Sequence, residues 1–574
     1  MSNSSPYILK TAHQWTKAPF DETTQNEAQQ LIQLGGDALE DAFYKNMEFG
    51  TGGMRGIMGV GTNRINKYTL GGSTQALSDY LIQCFPNTEQ IAVAIGYDCR
   101  HNSDVFSKLV ADVFSANGIK VFLFESLRPT PELSFAVRHL NCQAGIVLTA
   151  SHNPKEYNGY KVYWEDGAQL VPPHDTGVIE LANQIQVEDI KFNGNLDLIE
   201  IIGEEIDRAF IDGVMKQSLT NVGKDDLKIV FTSLHGTAIM GMPQALKQAG
   251  FTDLTIVKEQ ATPDGSFPTV ISPNPEEPEA LKMAIDLADE INADLVIGTD
   301  PDADRIGIAV RNNEGQMQIM NGNQTASMMT WYLLDQWKKQ GKLTGKEFIC
   351  QTIVTTNLMN DIADAYHVDT EITLTGFKWI ADVIRRNEGI RTFIGGGEES
   401  FGYMVGDFVR DKDSISAALI VAEIAALAKA NGSSFYAEVL EMYTQFGLYQ
   451  ESLVSIVKGG KSGSEEIANM MADLRANPPK SLAGYDVVKM DDVKFGESTD
   501  LASKAKRPLN LPSSNVLQFY LSNGSKVTAR PSGTEPKIKF YFSVKGTLNK
   551  VADYAQEQAK LLKEIEDIKA DLDI

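Results

Sequence analysis

Ala144-Gly145-Ile146-Val147-Leu148-Thr149-Ala150-Ser151-His152-Asn153-Pro154 runs from an apolar stretch into an abrupt turn. The first five residues are short, apolar and partly β-branched, which predicts a buried strand. Asn153 precedes Pro154, whose ring biases it away from helix. Ser151 is therefore expected on a tight turn at the carboxyl end of a strand, where open α/β sheets bind ligands. His152 is beside it and Lys161 follows ten residues later. A hydroxyl presented there is a candidate nucleophile, although an isolated serine more often satisfies the backbone of its own turn.

Outward from this stretch, strands alternate with helical patterns, which predicts an α/β fold. Strands are expected at 91–96 and 121–124, and a second unit opens at 227–231 and closes at 293–298. A third unit spans roughly 320–440, with a strand at 391–394 before Gly395-Gly396-Gly397-Glu398-Glu399-Ser400-Phe401-Gly402. In the fourth, strands at 525–528 and 538–544 flank a loop, Ala529-Arg530-Pro531-Ser532-Gly533-Thr534-Glu535-Pro536-Lys537. Residues 23–44 read as one amphipathic helix. Phe49-Gly50-Thr51-Gly52-Gly53-Met54-Arg55-Gly56 reads as a loop whose backbone approaches something closely. Segment 262–278 is a Pro- and Gly-rich connection of unusual length, a kind that is often functional. His235 is expected to hold its turn together rather than to act on a ligand.

The 574 residues are enough for several domains, and a net charge of −24 argues against nucleic acid as a partner. Any phosphate site must gather its own Arg and Lys against that field. Four scattered cysteines without a CxxC pair suit a reducing, cytoplasmic setting. No leader pattern stands at the N-terminus, and the apolar stretch 415–428 carries Glu423 and is too short to span a membrane. It is expected to be a core helix.

Asp300, Asp302 and Asp304 alternate after the 293–298 strand. In an extended segment they would face one way, and their repulsion calls for a divalent cation, with all-oxygen ligands suiting Mg²⁺. An EF-hand is excluded, because Arg305 and Arg311 stand where its glycine and glutamate belong. A Walker A loop is excluded too: Ser455 replaces the first glycine before Gly460-Lys461-Ser462. Arg530 offers a fork that matches phosphate, and the small residues after it can turn N–H groups toward an anion. Glu398 and Ser400 offer an acceptor and a hydroxyl suited to a polyol. A serine nucleophile, a metal loop, a polyol reader and a phosphate clamp together suit phosphoryl transfer.

TASHNPKEYNGYK, GTDPDADR, GGGEESFG and RPSGTEPK resemble, in order, the four signature loops of the α-D-phosphohexomutases. GEES-FG and TLTGFKW are similar to the phosphoglucomutase branch shared with phosphopentomutase. The resemblance implies three similar α/β domains with mixed sheets plus a C-terminal α+β domain around a central cleft. Their expected bounds are 1–192, 193–315, 316–445 and 446–574. It implies a phosphoglucomutase in which Ser151 carries the phosphoryl group and glucose 1,6-bisphosphate turns over in the site. Mg²⁺ would sit on Asp300, Asp302, Asp304 and an oxygen of phospho-Ser151. Lys161 matches the general acid/base, with His152 and Arg55 in support and Arg305 beside the metal. Glu398 and Ser400 would bind sugar hydroxyls, Thr375 and Lys378 would touch substrate, and Arg530, Ser532, Gly533 and Thr534 would hold the idle phosphate. Where related loops carry a histidine this chain has Gly402. Sugar phosphates are the implied partners of a monomer or weak dimer with no nucleic acid or membrane. The alternatives are a phosphomannomutase, a phosphopentomutase, a serine phosphatase and a silent sugar-phosphate scaffold.

Overall fold

The structure is a computed structural model, and it describes residues 5–50, 52–458, 460–532 and 536–574. Four sheets follow one another along the chain. The first has six strands, in spatial order Gly53–Ile57, Tyr157–Trp164, Ala144–Leu148, Ala92–Tyr97, Lys120–Phe124 and Ile199–Ile202. The last strand pairs parallel with Lys120–Phe124, so this sheet extends past the boundary expected at residue 192. The second sheet has five strands and the third four. Each of these three sheets has a parallel core whose last parallel strand turns back into an antiparallel neighbour. The fourth sheet has eight strands, and every pairing in it is antiparallel.

Those turn-backs position the four expected loops. Ser151 lies between Ala144–Leu148 and Tyr157–Trp164, and the three aspartates lie between Leu295–Thr299 and Ile306–Arg311. Glu398 and Ser400 lie between Thr392–Gly397 and Tyr403–Val405. Arg530 is at the end of Lys526–Pro531, which pairs with Lys537–Gly546. The same parallel strand, loop and antiparallel return thus recurs in each of the first three units.

Helix Ser414–Ala430 joins the units. Nearly all of its residues are buried, as its uniform apolarity dictates. One apolar core runs from the second sheet through this helix into the third and fourth, while the first sheet has its own core on each face. Among the described residues no single helix is long and apolar enough to cross a membrane.

Three local readings are corrected. Residues 23–44 form two helices, Glu22–Leu34 and Gly36–Phe43, because Gly35 takes a left-handed φ of 62° between them. The glycine-rich segment around Arg55 is partly an edge strand, Gly53–Ile57. Its glycine is required by a neighbouring strand: a Cβ on Gly53 would lie 1.8 Å from the Tyr160 carbonyl oxygen. Strand Lys526–Pro531 runs further than 525–528, so Arg530 stands on a strand and not in a free loop.

Candidate active site

Ser151 takes a left-handed φ of 51°, which a non-glycine residue adopts at a cost. Its amide donates to Thr149 Oγ1 at 2.9 Å. Arg100, itself buried, holds the turn from behind, donating to the carbonyls of Ser151 (2.6 Å), Pro154 (2.8 Å) and Tyr157 (3.0 Å). So braced, the Ser151 hydroxyl donates to Asp300 Oδ2 at 2.8 Å and lies 3.2 Å from His152 Nδ1. Burial, then the charges of Arg305 and Arg55, push the His152 imidazole down to about 3, so it is neutral. Arg55 reaches over the same turn and donates to Asn153 Oδ1 at 2.9 Å.

The three aspartates converge, but not through the alternation of an extended strand. They lie on a tight turn in which Ala303 has φ 59°. Asp300 Oδ1 accepts from the amides of Asp304 (3.1 Å) and Arg305 (2.9 Å). Each residue offers one oxygen, and these lie within 4.8 Å of one another. Burial and its two neighbours push Asp300 well above the usual carboxylate range. Against the same burial, Lys161 and Lys412 hold Asp304 below it. The Lys161 ammonium donates to Asp302 Oδ2 (2.6 Å) and Asp304 Oδ2 (2.9 Å). Burial opposes that charge, yet the two aspartates hold Lys161 up at about 12. Oδ1 of Asp302 and of Asp304 stay buried without a hydrogen-bond partner among the described residues. Hard oxygen donors that are convergent and unsatisfied fit a divalent cation such as Mg²⁺.

A cleft of about 740 Å³ opens over these groups. Ser151, His152, Lys161 and Arg55 line it from the first sheet, and Asp304 and Arg305 from the second, with Asp300 and Asp302 fully buried beneath. The third contributes Thr375, Lys378, Glu398 and Ser400, and the fourth Arg530. Glu398 is oriented by the Gly376 amide, which donates to it at 2.7 Å. Ser532 closes the last loop by donating its amide to the Lys537 carbonyl at 2.7 Å. Gly533 and Thr534 lie outside the described residues.

Four loops, one from each sheet unit, thus frame one cleft, and the comparisons with known proteins agree. Residues 46–189, 208–315 and 321–443 match in turn the alpha/beta/alpha domains I, II and III of phosphoglucomutase/phosphomannomutase. Phosphoglucomutases of Staphylococcus epidermidis and Staphylococcus aureus are 36% and 37% identical to it over 510 and 516 residues. These alignments take in 88% of this chain and 92% and 91% of theirs.

The chain belongs to the phosphoglucomutase/phosphomannomutase family.

Solved structures share the fold. A phosphoglucomutase/phosphomannomutase family protein from Burkholderia thailandensis superposes with a TM-score of 0.67 at 17% identity, over 91% of this chain and 96% of that one. Parafusin, a phosphoglucomutase from Paramecium in its open form, gives 0.66 at 18%, over 92% and 96%.

Within this family site, the space beside Gly402 is taken by Lys412. A Cβ on Gly402 would lie 2.2 Å from Lys412 Cδ, so a larger side chain there would displace the lysine. The Lys412 ammonium is 3.3 Å from Asp304 Oδ2 and 3.0 Å from Asp411 Oδ1. Sequence reasoning did not single out Lys412. It also passed over Lys539, which lines the cleft from the strand position paired with Arg530. Arg100 carries no signal in the sequence beyond its place shortly after the strand expected at 91–96. His235 is structural, with Nδ1 3.2 Å from the Thr262 carbonyl and Nε2 2.9 Å from Thr269 Oγ1.

Proposed function

We propose that this chain interconverts α-D-glucose 1-phosphate and glucose 6-phosphate, as a phosphoglucomutase of the isomerase class. The observation that carries the reading is the 2.8 Å hydrogen bond from Ser151 to Asp300, 149 residues apart in sequence. It joins a nucleophile to a carboxylate cluster built for a cation. The staphylococcal relatives' names favour glucose phosphates.

In this reading phospho-Ser151 donates to the substrate. The Oγ–P bond breaks as a bond from phosphorus to the sugar 6-oxygen forms; the 6-hydroxyl proton passes to a base in the cleft and Oγ takes up a proton. After the bisphosphate turns, Oγ gives up that proton as Oγ–P re-forms, the 1-oxygen–P bond breaks and the 1-oxygen takes a proton. Mg²⁺ held by Asp300, Asp302 and Asp304 would neutralise charge on the group in transit. Lys161 and Lys412 are ammonium groups beside that group, suited to donate protons and to hold charge. Neutral His152 stands beside the transfer, its Nδ1 3.2 Å from the Ser151 hydroxyl. Arg55 and Arg305 flank the transfer. Glu398 and Ser400 hold sugar hydroxyls, with Thr375 and Lys378 alongside. Arg530, Ser532, Gly533 and Thr534 grip the idle phosphate, and Lys539 adds a second cation to that grip.

The test is a comparison of kcat/KM across glucose, mannose, glucosamine and ribose 1-phosphates, with Mg²⁺ and glucose 1,6-bisphosphate supplied. Glucose 1-phosphate is expected to rank first. A mannose or pentose optimum would reassign the substrate. Release of free phosphate, or no turnover of any, would overturn the mutase reading.

A further inference from the structure

The long connection at 262–278 is a strap between the second sheet unit and two parts of the site. Near its start, Gly265 is pressed against the first unit, where a Cβ would lie 2.6 Å from the His101 amide nitrogen. Phe267 is 3% exposed and lays its ring 5.1 Å from the guanidinium of Arg100, the residue that braces the Ser151 turn. Such a desolvated cation–π contact holds both groups. Near its end, Pro275 packs on the backbone after the metal loop, because a Cβ on Gly307 would lie 2.5 Å from its carbonyl oxygen. Asn274 Oδ1 accepts from the Glu276 amide at 3.2 Å. Glu276 is thereby aimed into the cleft, where its Oε1 accepts from Nη1 of Arg305.

Arg305 is tied on its other side by its own amide, which donates to Asp300 Oδ1. Its Nε is buried without a hydrogen-bond partner among the described residues. The guanidinium therefore has one edge fixed by Glu276 and a donor left over beside the metal loop. An arginine has several rotatable bonds, and an unpaired one would sample many positions or collapse onto the three aspartates.

We propose that Glu276 is a positioning residue for phosphoryl transfer, acting only through Arg305. It fixes the guanidinium where its Nε stands 4.0 Å from Asp304 Oδ1, short of a hydrogen bond, and presents the remaining donors to the phosphoryl oxygens. This rests on the mutase reading of the cleft. Transfer rates respond steeply to displacements of the order of an ångström, so a slackened Arg305 shows in turnover before it shows in folding.

The experiment is a double-mutant cycle on the full chain, using glucose 1-phosphate with glucose 1,6-bisphosphate and Mg²⁺. The proteins are wild type, Glu276→Gln, Arg305→Met and the double variant. Glu276→Gln is expected to lower kcat/KM by about tenfold, mostly through kcat, with the melting temperature unchanged. In the Arg305→Met background the same change is expected to cost nothing, or to restore activity by removing a stranded carboxylate. An unaffected Glu276→Gln enzyme, or an equal loss in both backgrounds, overturns the inference. If Glu276→Gln melts early, Glu276→Asp, which keeps the charge, takes its place in the cycle with the same criteria. A wild-type protein inactive on every sugar phosphate would instead overturn the mutase reading.

Discussion

Glu423 sits in the middle of the most apolar helix of the chain with no exposure, and four groups turn to its carboxyl there. Lys224 donates to it at 2.7 Å, Tyr332 at 2.9 Å, the Leu219 amide at 3.0 Å, and Ser218 completes the set. Removing one partner of a buried pair strands the other charge. Lys224→Met is therefore expected to lose about 3–5 kcal/mol of stability in urea unfolding at pH 7. A loss below about 1 kcal/mol would show that the pair is not needed. Glu451, on the cleft face of the fourth sheet, makes the opposite case. Burial pushes its carboxyl up to about 7, although Thr356 and Lys526 pull the other way. Between about pH 4.5 and 7 the folded chain keeps this proton and the unfolded chain does not, so the group's contribution to stability declines as pH rises through that window. Glu451→Gln is expected to match wild type near pH 4.5 and to exceed it at pH 8, read from urea midpoints. Equal midpoints at both would contradict the assignment.

At the scale of elements, one device recurs: a parallel strand ends, a loop carries candidate site residues, and the next strand returns antiparallel. It depends on close backbone packing. A Cβ on Gly159 would lie 2.5 Å from the Thr149 carbonyl oxygen and 2.7 Å from that of Met54. Gly159→Ala is expected to cost about 1–3 kcal/mol by overpacking and to lower turnover by displacing the Ser151 turn. A stable, fully active variant would mean that the strands yield. The four loops were legible because each binds small residues to a chemistry that only certain side chains supply, as in Asp300, Asp302 and Asp304. Arg100, Glu276 and Lys412 were not legible, since a single charged residue announces nothing until the fold shows what it faces. The glycines near Arg55 announced a close approach, but the neighbour is strand Tyr157–Trp164. The convergence of the aspartates was legible and its cause was not, because a left-handed alanine leaves no signature.

For the whole molecule, the cleft gains its fourth wall where the fourth unit docks on the third. Gln518 donates to the Ile353 carbonyl at 2.7 Å. Lys526 reaches the carbonyls of Ile353 (3.1 Å) and Thr355 (3.3 Å) and Asn357 Oδ1 (2.9 Å). Lys526 opens the strand Lys526–Pro531 that carries Arg530 towards its other end, so docking and the proposed phosphate grip share one element. The central claim is that groups from four units act on a phosphoryl group carried by Ser151. It is tested most directly by incubating wild type and Ser151→Ala with glucose 1,6-bisphosphate and Mg²⁺, mapping phosphate by peptide mass spectrometry, and assaying glucose 1-phosphate conversion on the same samples. Phosphate on the Ser151 peptide of wild type alone, with turnover lost in Ser151→Ala, is the expected result. Full turnover by Ser151→Ala, or phosphate on another residue, would contradict it.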